Sequence, residues 1–215
     1  MSLTTIPEQG LVYDAENLAF ILPAGKYIGN SRYKDVFAAS AMADLTSFRN
    51  HWGAETSLDV ELYRPVARYE LVAKDVATFL NKLSTGGLKG ESFTARVKYS
   101  DYLPTGYNLW DDVPKNSLMY MEYKVAFERP ADGTKELILG FDYVLTDAGE
   151  TVSIPVELEI LNEKNEVLAR TAFRVPCERG KNTAVRGNFL TSDANGGIGI
   201  DPDYDGDLEV DLGEL

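Results

Sequence analysis

Between Lys135 and Val175 the hydrophobic and polar positions alternate. Val152, Ile154, Val156, Leu158 and Ile160 fall on one parity; Thr151, Ser153, Pro155, Glu157 and Glu159 fall on the other. That is the signature of a strand with one buried and one wet face. Val167, Ala169, Thr171, Phe173 and Val175 repeat it against Arg170 and Arg174, and Leu137, Leu139, Phe141, Tyr143 and Leu145 form a third apolar row. Short connections carrying Asp147, Gly149, Asn162 and Asn165 supply turn chemistry. The pattern predicts three strands in an antiparallel meander.

The same reading extends along the chain. Leu18 to Leu22 is a short apolar run ended by Pro23 and Gly25, and reads as a strand. Val36, Phe37, Ala41, Leu45 and Phe48 have roughly helical spacing within Tyr33 to Phe48. Leu58 to Leu62 and Val66 to Val72 read as strand pieces interrupted by Arg64-Pro65, since proline donates nothing to a ladder. Asp75 then reads as the N-cap of a helix carrying Val76, Phe79, Leu80 and Leu83, closed by Gly86-Gly87. Phe93, Ala95, Val97 and Tyr99 alternate with Thr94, Arg96 and Lys98. Tyr102 to Ser117 reads as a long loop, and Leu118 to Phe127 as a central strand with two apolar faces. Thr183 to Leu190 is a further strand. Ile198 and Ile200, then Leu208, Val210 and Leu212, give a last strand pair around an acidic turn. About eight strands and one short helix predict an all-β chain, an antiparallel β-sandwich. Residues 1–56 hold too few apolar positions for a core of their own and must pack on something else.

Composition adds exclusions. The net charge of −13 argues against nucleic acid, which needs basic patches. Eight acids and no Lys or Arg follow Gly187, leaving −5 for the rest. Cys177 is the only cysteine, so no intrachain disulfide forms. No apolar run approaches about 18 residues, which excludes a membrane-spanning helix. The opening MSLTTIPEQG has neither the basic nor the apolar part of a signal peptide.

Candidate chemistry is sparse. A Ser-His-Asp or Cys-His site would need His51, the only histidine, and no nucleophile-elbow pattern surrounds it. One histidine and one cysteine do not make an ordinary zinc site. With 34 acids, carboxylate pairs carry no signal for glycoside hydrolysis. No catalytic residue and no cofactor is expected. Asp201, Asp203, Asp205 and Gly206 spell the first half of a calcium loop, with Asp207 beside them. Position twelve is Leu212 rather than Glu, so a tight turn explains the segment as well as a cation does. Tyr102, Tyr107 and Trp110, near Asp111 and Asp112, are candidates for stacking on sugar rings; the competing reading folds them back onto the sheet.

Five segments in this order carry a resemblance: LYRPVARYEL, YLPTGYNLWDDVPKNS, GFDYVL, VPCERGKNTAVRGNFLTS and GGIGIDPDYDGDLEVDL, with LVYDAENLAFILPAGKYIGNSRYKDVFAAS upstream. Together they resemble the fimbrillin-like surface proteins of Gram-negative gut and oral anaerobes, the subunits of type V pili, and within them a subgroup without an established role.

The resemblance implies two tandem sandwiches of transthyretin-like topology: residues 1–56 as the remainder of a first and 57–215 as a complete second. It implies a non-enzymatic fimbrial subunit at the cell surface, exported to the outer membrane as a lipoprotein. Its partners would be other fimbrial subunits, and surface glycans or proteins of host or bacteria. Such subunits assemble when a strand from one fills an apolar groove in the next. Here the candidate assembly strand holds Leu208, Val210 and Leu212, and its alternative role is to close its own sandwich. A surface glycan-binding module is the second functional expectation.

Overall fold

The computed structural model describes residues 12–51, 53 and 55–192, and the backbone of 203–205 and 207–211. Among the described residues the strands are β1 (Tyr13–Asp14), β2 (Leu22–Pro23), β3 (Val66–Ala73), β4 (Ser92–Tyr99), β5 (Leu103–Asn108), β6 (Val113–Leu118), β7 (Glu122–Glu128), β8 (Leu137–Leu145), β9 (Thr151–Asn162), β10 (Val167–Glu178), β11 (Asn182–Gly187), β12 (Asp203–Asp205) and β13 (Asp207–Asp211), with one α-helix, α1 (Val76–Ser84). One sheet has the order β10-β9-β4-β7 and is antiparallel throughout. A second has the order β12-β13-β11-β3-β8, and in it β11 runs parallel to both its neighbours; β1-β2 and β5-β6 form two-stranded sheets. The inner faces of the two larger sheets share one core: Tyr69, Leu71 and Val185 from one sheet, Phe93, Val97, Leu158 and Ile160 from the other. The fold is all-β and sandwich-like.

The helix forms where expected. It buries Val76, Phe79 and Leu80, and the Phe79 ring meets Phe93 edge-on at 5.1 Å between centroids. Asp75 occupies the N-cap position but makes no side-chain bond to the helix. Its carboxylate is buried and accepts instead from Leu190 N at 3.0 Å, Thr191 N at 2.7 Å and Thr191 Oγ1 at 2.7 Å. It therefore ties the chain leaving β11 to the start of α1.

Several expectations are corrected. The meander breaks after its first strand: β9 and β10 pair as expected, but β8 pairs with β3 in the opposite sheet. A short turn can join neighbours in one sheet or cross between sheets, and alternation does not distinguish them. The strand expected to be central is β7, at a sheet edge. Tyr123 faces inward and Glu122, Lys124 and Glu128 face solvent. The apolar residues that suggested two buried faces, Leu118, Met119 and Tyr120, lie before it. The expected loop at 102–117 is a hairpin of β5 and β6. Leu58 to Leu62 forms no strand and is exposed, and Tyr63 alone bridges to Ala38. Tyr33 to Phe48 is not an α-helix but holds short 3-10 turns at Arg32–Lys34 and Thr46–Phe48. An isolated helix of that length is marginal unless it buries a face.

Residues 12–38 lie on the sandwich. Tyr13 and Ala38 join a second apolar cluster with Val66, Tyr107, Leu109 and Leu145, and Ile21 bridges to Tyr107. Farther along, Gly29 and Asn30 seal the gap between edge strands β7 and β8. Gly29 lies on the Tyr123 ring. Asn30 gives its N–H to Phe141 O at 3.0 Å, and its Oδ1 accepts the Phe141 N–H at 3.2 Å. One residue thus imitates a strand partner at the β8 edge.

Candidate functional site

The polar centre of the molecule is Asp142 on β8. Strict alternation would turn it outward between Phe141 and Tyr143. A bulge intervenes: Leu71 pairs with Gly140 and Val72 with Ile138, leaving Leu139 unpaired. One extra residue exchanges the faces of everything beyond it. Asp142 and Val144 are consequently buried, while Phe141 and Tyr143 are only half-buried.

Inside the core Asp142 is fully partnered. Lys34 Nζ lies 2.6 Å from Oδ1, and both side chains are buried. Tyr143 N–H donates to Oδ1 at 2.8 Å, Tyr99 Oη donates to Oδ2 at 2.6 Å, and Tyr27 Oη donates to Oδ2. Lys34 Nζ also donates to Tyr27 Oη at 3.2 Å. Tyr99 Oη and Tyr69 Oη are 2.6 Å apart, and Tyr123 joins beyond Tyr69. Burial first, and the Asp142 charge second, push the phenols of Tyr27, Tyr99 and Tyr123 well above their ordinary value. Burial lowers the Lys34 amine against the opposing pull of Asp142.

A cleft of about 490 Å³ opens onto this network. Tyr13, Tyr27, Lys34, Thr105, Tyr143 and Leu145 are among its lining residues. Sequence reasoning missed the network because Lys34 and Asp142 are 108 residues apart. One signal was present: Asp142 is the sole acid within the apolar run Leu137 to Leu145.

The three proposed sugar-stacking residues do not share a surface. Tyr107 is buried on β5, and its Oη donates to Asp112 Oδ1 at 2.5 Å. Arg179 clamps the same carboxylate at 2.8 Å and reaches Thr146 O at 3.0 Å, anchoring the hairpin to the end of β10. Burial pushes the Asp112 carboxyl up, but hydrogen bonds from Arg179, Tyr107 and Tyr63 outweigh it and hold it below the usual range. Tyr102 and Trp110 are exposed, before the start of β5 and after its end. Six residues of strand, roughly 20 Å, lie between them. Tyr120, which the sequence did not single out, is 80% exposed with φ at 58°.

Leu208 and Val210 lie on β13, opposite Thr183 and Val185 of β11. Asp203 and Asp205 on β12 pair with Glu209 and Asp207 of β13 in a hairpin. Only the backbone of these residues is described; Asp201 and Leu212, named for the cation and assembly roles, lie outside the described residues. His51 is exposed. Among the described residues no helix is long and apolar enough to cross a membrane.

Residues 4–213 match a family described only as a family of unknown function, DUF6562. The chain belongs to this family. DUF6562 carries no assigned activity, so membership fixes kinship without fixing a role. Among curated proteins nothing matches. Among solved structures, the chain is similar to a Bacteroides ovatus protein provisionally described as a cell adhesion protein. The identity is 14% and the TM-score 0.33, over 58% of this chain and 41% of that one. The match thus spans less than half of that protein's length. The resemblance to fimbrillin-like proteins is finer than either comparison resolves.

Proposed function

We propose that this DUF6562 chain is a non-enzymatic, adhesive subunit of cell-surface fimbriae that joins its neighbours by strand addition. The observation that carries the reading is the position of β13. It runs parallel along β11, and about twenty residues of chain separate the two strands. A strand delivered from a distance rather than by a tight turn is one that a neighbouring subunit can also deliver. Backbone hydrogen bonds to β11 supply affinity, and the alternation of Leu208 and Val210 with Glu209 and Asp211 supplies register. The resemblance noted in the sequence supports the same reading. It extends to export to the outer membrane as a lipoprotein and to transthyretin-like topology. It also makes residues 1–56 the remainder of a first sandwich, resting on 57–215 through the Tyr13–Leu145 cluster.

The test is assembly. The full chain, mixed with a protease-matured neighbouring subunit, is expected to give oligomers that resist SDS. A chain ending at Ser192 is expected to capture a synthetic peptide of residues 203–215. A chain that stays monomeric after maturation and ignores the peptide overturns strand addition.

A second reading, a glycan-binding module, rests on Trp110, which is 71% exposed at the β5–β6 turn beside Asp111. A glycan array probed with the chain and with Trp110→Ala separates the two. Binding lost in the variant favours sugar recognition.

A further inference from the structure

We infer that Lys34 and Asp142 become joined by an isopeptide bond, an amide between the lysine ε-nitrogen and the aspartate side-chain carbonyl.

The reacting atoms are already assembled. Lys34 Nζ sits 2.6 Å from Asp142 Oδ1, with both side chains buried. A buried ion pair is expensive to maintain, because its mutual attraction must offset two desolvation penalties. Neutralising it by condensation removes both charges. Burial also favours the uncharged amine, the form with a lone pair to offer.

The hydrogen bonds around the carboxyl are divided by role. Oδ1 accepts the Tyr143 backbone N–H at 2.8 Å, a fixed donor suited to the oxygen that becomes negative when nitrogen adds. Oδ2 accepts two phenols, Tyr99 at 2.6 Å and Tyr27, and is the oxygen that departs. Tyr27 also accepts from Lys34 Nζ at 3.2 Å. Its hydroxyl therefore bridges the nitrogen that must lose protons and the oxygen that must gain them.

The balance closes within this group. Nζ forms a bond to Asp142 Cγ, and the Cγ–Oδ2 bond breaks. The ammonium gives up two protons, and both end on Oδ2. Each passes through the Tyr27 hydroxyl, which accepts from Nζ, donates to Oδ2 and returns to its starting state. Water is the leaving group, and no oxidant, reductant or other reactant is consumed. The cleft bordered by Tyr27 and Lys34 is its way out. The product clamps the segment around residue 34 to β8, covalently and independently of redox conditions, in a chain whose single cysteine permits no internal disulfide.

The experiment is mass spectrometry of the denatured full chain. The expected mass is that of the sequence less one water. Trypsin should then fail to cut after Lys34 and release one branched species joining residues 33–49 to residues 136–164. Lys34→Ala and Asp142→Ala should each show their full sequence mass. So should Tyr27→Phe, which keeps the ring, with folding checked by its cooperative unfolding. A wild-type chain at full sequence mass overturns the proposal outright, whatever the variants do. So does a lost water that maps to Asp132-Gly133 and is sensitive to hydroxylamine, since that marks a backbone succinimide. A folded Tyr27→Phe chain that still loses the water overturns the relay.

Discussion

Gly29 has no room for a side chain because the ring of Tyr123 occupies it. A Cβ at residue 29 would lie 2.1 Å from Tyr123 Cδ1. This contact lets residues 27–31 pass between β7 and β8. Gly29→Ala is expected to destabilise the fold by about 1–3 kcal/mol, as overpacking does. The urea midpoint measures it. Gly25→Ala is the control, with nothing within 4 Å of the added carbon; its midpoint should stay near wild type.

Asp75 holds three donors from Leu190 and Thr191 on a buried carboxylate. Asp75→Ala strands those donors, a loss of about 1–3 kcal/mol. Hydrogen exchange tells this role from an ordinary cap. The Leu190 and Thr191 amides should lose protection, while the first turn of α1 keeps its own.

Glu159 lies beneath a cover of cations on the outer face of β9. Lys98 Nζ is 2.9 Å from Oε2, Arg170 Nε is 2.9 Å from Oε1, and Arg96 Nε is 2.7 Å from Oε2. Burial pushes its carboxyl up, yet these hydrogen bonds prevail and hold it at about 2, against an ordinary 4.5. The folded value lies below the unfolded one, so the stabilisation is complete above about 4.5 and drains away as pH falls toward 2. Wild type should lose stability across that window. Glu159→Gln should begin less stable at neutral pH and show a shallower acid limb in denaturant titrations.

Cys177 is buried on β10, and burial, with the Asp142 charge second, pushes its thiol up to about 12. The native chain should leave a maleimide probe unreacted at neutral pH. Labelling should appear only across the unfolding transition. Appreciable native labelling would show that the β10 edge opens locally.

Tyr107 and Trp110 are close in sequence and opposite in environment. Tyr107→Phe removes the hydroxyl that meets Asp112 and Arg179 and should cost about 1 kcal/mol. Trp110→Ala removes an exposed ring and should leave the midpoint within about 0.5 kcal/mol of wild type. Equal losses in both would mean that the ring of Trp110 packs on the hairpin.

The alternation in the sequence was enough to place β4, β9, β10 and α1 and to say which faces they bury. Phe93, Ala95, Val97, Ile154, Val156, Leu158, Phe173 and Val175 all lie in the core. It was enough because period and burial are local: side chains two apart on a strand share a face, whichever strand lies alongside. Partnership was decided elsewhere. Nothing in residues 137–145 says that β8 will join β3 rather than β9, since backbone hydrogen bonds are alike for every neighbour. Nothing there announces the bulge at Leu139 either, because it arises from a register set by β3. That single residue of slippage turned Asp142 from a surface acid into the buried partner of Lys34.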